Sequence, residues 1–449
     1  MIKKIALACL FLVSITIHAQ DSLKVKIAPN NVYKWMMLYK LNGAKQQYVA
    51  NTTLENEEFN FVIPENSESG MYRLFYDNKN GRYFDVIYNQ EAIDVTFDAS
   101  SPEKSAVFAM SEENKLYQSY LNSIESQQLK LDSIQIVNVN PTTPASIVLE
   151  EMYQKRLEKL VGLQDYFEKE ASGKLAQEFI KTNRKYNSPK LAVSVGEYLK
   201  NMQSHFFDNV DFNNKKLINS SLLVDKSMEY VFYINSSDDV ETLQNLRKKS
   251  ISELMDKIGD NNLIKSEVLS SLLYALAGQE ELELVDFVKE NYYNKLPEEF
   301  KSTKFLNTVN DLLKTAIGSV APNFLLKEEG KSTDLLQLSG SENYIITFWS
   351  TTCSHCLKEI PKLYAFTKDM ENVKVIAIAL EDDKYGFDHH TQDLSNWINV
   401  LGLMKWKNQI ARDYDIHSTP SYFVLDKDKK IIAKPEELED VQELFKPEE

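Results

Sequence analysis

The hydrophobic period changes twice along this chain of 449 residues, and no single layer of structure accommodates all three patterns. From about 22 to 97, apolar and polar residues alternate, as in Leu23-Lys24-Val25-Lys26-Ile27 and Tyr83-Phe84-Asp85-Val86-Ile87-Tyr88, with the turn Asp77-Asn78-Lys79-Asn80-Gly81 between two such runs. A period of two marks half-buried strands, and about seven of them predict a small β-sandwich. From about 111 to 315, apolar residues recur three and four apart, as in Ile147, Leu149, Met152, Leu157, Leu160 and Leu163, which predicts helices. Asn140-Pro141-Thr142-Thr143-Pro144 breaks the first helix from the second. From 321 onward the pattern alternates: buried strands over 344–349 and 373–380, a helix over 357–368, a hairpin over 421–425 and 430–433, and a closing helix over 435–445. The expected architecture is multidomain, with an all-β sandwich over 20–108, an all-α region over 109–316 and an α/β domain over 317–449.

Charge and termini narrow the partners. The formal net charge is −15, which disfavours nucleic acid, because phosphate contacts need clustered Lys and Arg. Lys3 and Lys4 precede an uncharged apolar run over 5–17 and then Ile17-His18-Ala19, the pattern of a secretory signal ending in a small residue. Residues 1–19 are therefore expected to be removed on export, and the periplasm is the expected location. The apolar run is shorter than the roughly 20 residues a spanning helix needs.

Of three cysteines, Cys9 would leave with that signal, so the mature chain keeps Cys353 and Cys356. They form a Cys-Ser-His-Cys at a strand-to-helix junction. One pair three apart closes too small a loop to staple a fold, so the pattern points to redox chemistry or a metal. A zinc site needs about four ligands, and no second pair at matching spacing is present, so metal is not expected here or at His389-His390. At a helix amino terminus the unpaired N–H groups and the dipole favour a thiolate on Cys353, and Cys356, one turn on, can resolve a mixed disulfide. His355, when cationic, would stabilise that thiolate further. Glu359 projects from the same helix face and can handle the second thiol's proton. Pro361 removes one hydrogen bond inside the helix.

This stretch, with Phe348-Trp349 at the strand end and Ser418-Thr419-Pro420-Ser421-Tyr422-Phe423 further on, resembles the thioredoxin superfamily. Within it the stretch resembles the TlpA/ResA-type exported thiol-disulfide oxidoreductases, over about the last 130 residues. The resemblance implies a thioredoxin fold and a cis peptide at Thr419-Pro420 opposite the cysteines. It also implies that Thr419 and Pro420 bind the partner, and that proteins carrying a disulfide or dithiol are the substrates; Trp349 is expected to be a core aromatic that shapes the site from below and is counted with them at the partner-binding surface. A membrane or periplasmic redox donor is implied too, and no cofactor. Thr352 stands where this family usually has Trp, and Thr347 where thioredoxin itself has a buried acid, which by resemblance passes the proton role to Glu359.

Other readings stay open at this stage. His355 leans toward an oxidase or isomerase, whereas the resemblance leans toward a reductase. A scaffold protein that captures partners through its β and helical regions is the alternative from a different class. A thiol peroxidase would need threonine three residues before the attacking cysteine, where this chain has Ser350.

Overall fold

The computed structural model describes residues 22–29, 31–139, 147–328 and 331–446. The expected signal over 1–19 and the expected break over 140–144 lie outside them. The chain divides into two compact units, 1–268 and 269–449.

In the first unit, Ser22–Ile27 (β1), Trp35–Asn42 (β2), Lys45–Thr53 (β3), Phe59–Val62 (β4), Gly70–Asp77 (β5), Arg82–Tyr88 (β6), Ile93–Phe97 (β7) and Val107–Met110 (β8) form two four-stranded sheets, ordered β4-β1-β7-β8 and β3-β2-β5-β6. The alternation read from the sequence is what closes them. Leu23, Val25 and Ile27 of β1 and Tyr72, Leu74 and Tyr76 of β5 share one buried core. Across β5 and β6, Arg73 and Asp85 are register partners and join through two hydrogen bonds of 2.8 and 2.7 Å.

The helical region opens with a long hairpin, Glu112–Val139 and Ile147–Glu170. Its buried face differs from the expected stripe. Tyr153, Leu160 and Phe167, seven apart, point inward, while Ile147 and Met152 are exposed. Tyr153 belongs inside because its hydroxyl donates to the Ser188 carbonyl at 2.8 Å, so a polar tip that pattern counting discounts is satisfied.

The second unit carries a five-stranded sheet built from Asn343–Trp349 (β11), Val373–Glu381 (β12), Ile398–Leu403 (β13), Ser421–Asp426 (β14) and Ile431–Ala433 (β15), in the order β13-β12-β11-β14-β15; the hairpin Leu325–Glu328 (β9) and Lys331–Asp334 (β10) precedes it. The strand β11 is parallel to β12 and antiparallel to β14. This is a thioredoxin-like domain. Helices lie in the chain on either side of β11, and both faces of that strand are buried, so it reads as an unbroken apolar run. Tyr344, Ile346 and Phe348 enter one core, and Ile345 and Trp349 the other. The edge strand β13 escapes sequence reading because Asn399 and Gly402 dilute its apolar signal. This unit also contains the helices Leu282–Asn291 and Thr303–Leu313, and within it Lys434 pairs with Glu280 at 2.6 Å.

Beneath β11, Tyr414 packs against Phe348 and Phe423, and its hydroxyl donates to the Pro322 carbonyl at 2.8 Å. Tyr414→Phe keeps the ring and is expected to lower stability of this unit by about 1–2 kcal/mol, against about 3–5 kcal/mol for Tyr414→Ala. Denaturant titration followed by aromatic fluorescence measures both, and equal losses would show that the ring packing contributes little.

Candidate active site

The strand β11 ends at Trp349 and the next helix begins at Cys356, so the short loop between them is pinned at both ends. Within it Cys353 N–H donates to the Ser350 carbonyl at 3.1 Å, and Leu357 N–H returns to the Cys353 carbonyl at 3.1 Å. Cys353 thus sits on the first turn of the helix Cys356–Thr367. Cys353 and Cys356 form a disulfide with Cα atoms 5.2 Å apart. The Cys356 N–H points at Cys353 Sγ at 3.1 Å, and this donor would stabilise a thiolate there.

The two sulfurs are not equivalent. Cys353 is partly exposed, whereas Cys356 is fully buried among Ile360, Leu363 and Trp349. The Thr419–Pro420 peptide is cis, and the Thr419 carbonyl oxygen lies 3.5 Å from Cys353 Sγ. The strand register explains this contact. Ser421 at the start of β14 pairs with Phe348 near the end of β11, so the residues before Ser421 lie beside those after Trp349.

Glu359 is buried, with only 10% of its side chain exposed, and its carboxylate accepts from Lys362 Nζ at 3.0 Å. Burial, and then the Glu359 and Glu439 carboxylates, push the Tyr422 hydroxyl above its ordinary range, so Tyr422 stays neutral. Thr347 is the register partner of Tyr422. The hydroxyls of Thr347 and Tyr422 and the indole N–H of Trp349 are all buried with no hydrogen-bond partner among the described residues.

Trp349 is 1% exposed, which corrects the expectation that it binds the partner. A ring closed off from the surface supports the site from below and offers no contact to an incoming chain. His355 is exposed, so water screens whatever charge it carries. His417 is exposed and lies 3.1 Å from Asp415, and His205 stacks on Tyr186 at 3.8 Å in the other unit. Among the described residues no three His, Cys, Asp or Glu side chains gather into a metal-binding group.

Sequence reading missed two residues at the rim. Glu381, at the end of β12, is buried, and its carboxylate accepts the Thr351 N–H at 2.5 Å, anchoring the loop two residues before Cys353. Trp406 lies on the short turn Lys405–Lys407 and is 48% exposed. Glu381 is far from the cysteines in sequence and opens the run Glu381-Asp382-Asp383, which reads as solvated surface, so no local signal separates it from its neighbours.

Comparison with known proteins agrees with this geometry. Residues 317–434 match the model of the AhpC/TSA family. The thiol-disulfide oxidoreductase ResA of Bacillus thuringiensis (strain Al Hakam) is 30% identical over 130 residues, which cover 28% of this chain and 72% of that protein. The chain belongs to the TlpA/ResA-type thiol-disulfide oxidoreductase family. The ResA of Bacillus subtilis (strain 168) is 28% identical over 118 residues, covering 26% of this chain and 64% of the relative. A solved domain of a possible thiol-disulfide isomerase from Cytophaga hutchinsonii is 29% identical, covering 29% of this chain and 90% of that one, with a TM-score of 0.26. The family match covers the region that holds Cys353 and Cys356, and the sandwich lies outside it.

Two outcomes follow from the burial and the anchor. In the reduced protein, iodoacetamide is expected to alkylate Cys353 at least about tenfold faster than Cys356, as read by peptide mass mapping; equal rates would remove the asymmetry. Glu381→Ala is expected to cost about 1.5–3 kcal/mol, the range for a hydrogen bond to a charged acceptor, and Glu381→Gln less. Equal losses in denaturant titration would show that the charge, not the acceptor, holds Thr351.

Proposed function

We propose that the protein is an exported reductase of protein disulfides, acting through Cys353 and Cys356. The observation that carries this reading is the unequal burial of the two sulfurs beside the Thr419 carbonyl: one sulfur is open to a partner, and the other reaches only its neighbour.

In the reduced state the Cys353 thiolate attacks one sulfur of a partner disulfide. The partner's S–S bond breaks, its second sulfur leaves as a thiolate, and a mixed disulfide forms on Cys353. Cys356 then loses its proton to Glu359, attacks Cys353 Sγ and releases the partner's first sulfur. Two electrons pass to the partner, the chain keeps the Cys353–Cys356 disulfide, and a dithiol donor outside the chain must restore it. Thr419 and Pro420 border the attack path. The reductive direction follows from the resemblance to ResA-type proteins, and the His355 ring beside the dithiol is exposed to water.

Export rests on the expected signal over 1–19. No described helix is long and apolar enough to cross a membrane. The mature protein recovered from cells is expected to have a mass consistent with cleavage after Ala19.

The decisive experiment is a pair of measurements. Equilibration with glutathione is expected to place the reduction potential near about −270 mV, and a value near about −120 mV would make the protein an oxidant instead. Cys356→Ala is expected to accumulate covalent partner adducts that dithiothreitol releases. Absence of adducts, with Cys353 shown to be reducible, would favour the scaffold reading.

A further inference from the structure

We infer that Trp406 forms a recognition wall for the partner polypeptide, seating an apolar side chain close in sequence to the reacting cysteine. This rests on the reading that Cys353 exchanges with a disulfide-bearing chain.

The turn that carries Trp406 is braced from several directions. Gly402, at the end of β13, packs so tightly that an added Cβ would meet Leu380 Cδ2 at 3.0 Å and the Ala379 carbonyl at 3.2 Å. Met404 and Lys405 then adopt consecutive left-handed conformations, with φ of 70° and 48°. Lys405 Nζ pairs with Asp382 at 2.9 Å, and the hydrogen bond to Asp382 raises the lysine's affinity for its proton, so the pair stays charged. The Lys407 and Asn408 N–H groups close the turn onto the Met404 and Lys405 carbonyls, both at 2.9 Å. Asn408 Nδ2 donates to the Leu403 carbonyl at 2.9 Å, and its Oδ1 caps the next helix through the Ile410 N–H at 3.0 Å. The chain thus holds a large aromatic ring in one place while leaving 48% of it in water.

That ring stands beside the reactive sulfur. A cleft of about 410 Å³ is lined by Ser350, Thr352, Cys353, Leu380, Lys405, Trp406 and Thr419. Trp406 also borders a second cleft, of about 580 Å³, with Arg412, Ile416 and His417. A partner must bring its own sulfur into bonding contact with Cys353 Sγ, so the residues flanking that sulfur necessarily lie against whatever surrounds Cys353. On this side the surroundings are apolar or already satisfied. Leu380 has no polar group, the hydroxyls of Ser350 and Thr352 bond each other at 2.9 Å, and the Lys405 ammonium is held by Asp382 at 2.9 Å. A half-exposed indole beside polar groups that already have partners favours an aliphatic or aromatic side chain over a charged one. The occupant is therefore an extended polypeptide around a disulfide, with an apolar neighbour on the Trp406 side.

The test uses the full chain, reduced with dithiothreitol and freed of it, in single-turnover reaction with two symmetric peptide disulfides. In one the cysteine is flanked by leucine, and in the other by glycine. The unaltered protein is expected to react about tenfold faster with the leucine peptide, the scale of one apolar side chain leaving water. Trp406→Ala is expected to bring that ratio to within about twofold, and Trp406→Phe to keep most of it, with the reduction potential unmoved in both. A ratio that survives Trp406→Ala, or a potential that moves with it, would overturn the assignment. If the unaltered protein reacts with both peptides but shows no preference, this inference alone fails. If it reacts with neither, the reading of the site as a disulfide reductase fails with it.

Discussion

Antiparallel pairing between the central strand and the strand after Pro420 is the constraint on which the site depends. One strand ends where the Cys353 loop begins, and the other begins where the cis Thr419–Pro420 peptide ends. Pairing Phe348 with Ser421 therefore brings together two segments separated by more than sixty residues, without any contact of their own needing to hold them. Burial of β11 on both faces fixes that register, because a slip by one residue would exchange Tyr344, Ile346 and Phe348 with Ile345, Thr347 and Trp349 between two filled cores.

Around this frame the chemistry is divided by depth. Cys353 lies at the surface end of a helix turn, where a backbone N–H meets its sulfur, and Cys356 lies in the core. Carboxylates occupy both flanks. Glu359 is buried on the helix that carries Cys356, and Glu381 is buried at the end of β12, where it holds the loop through Thr351. The exposed His355 sits in a medium that screens it, so identity and proximity in sequence overstate its electrostatic weight.

Much of the site was legible because its signals are local. The Cys-x-x-Cys spacing, the helix that follows it and Glu359 one turn later all lie within seven residues of each other, and helical geometry alone puts them on one face. The strands of the sandwich were legible for the same reason, since alternation is a property of neighbouring residues. The failures were of another kind. Trp349 was read both as a core aromatic under the site and as a partner contact, and its burial keeps only the first, because whether a strand residue ends above or below a sheet depends on what covers it. The inward face of the helix Ile147–Glu170 turned on Tyr153, whose hydroxyl is satisfied by Ser188, a residue from a separate segment. The edge strand Ile398–Leu403 carries too little apolar character to announce itself, and it forms because β12 offers it an open edge.

Sequence alone therefore determined where the dithiol pair lies and which kinds of layer the chain builds, since both follow from residue type and short-range period. Tertiary structure decided which sulfur is reachable, which carboxylate holds its loop and which aromatic ring stands at its rim. Those are matters of depth and of meeting between distant segments: Glu381 reaches the Cys353 loop at Thr351, and Trp406 lines the Cys353 cleft, only because the sheet brings the ends of three strands to one edge.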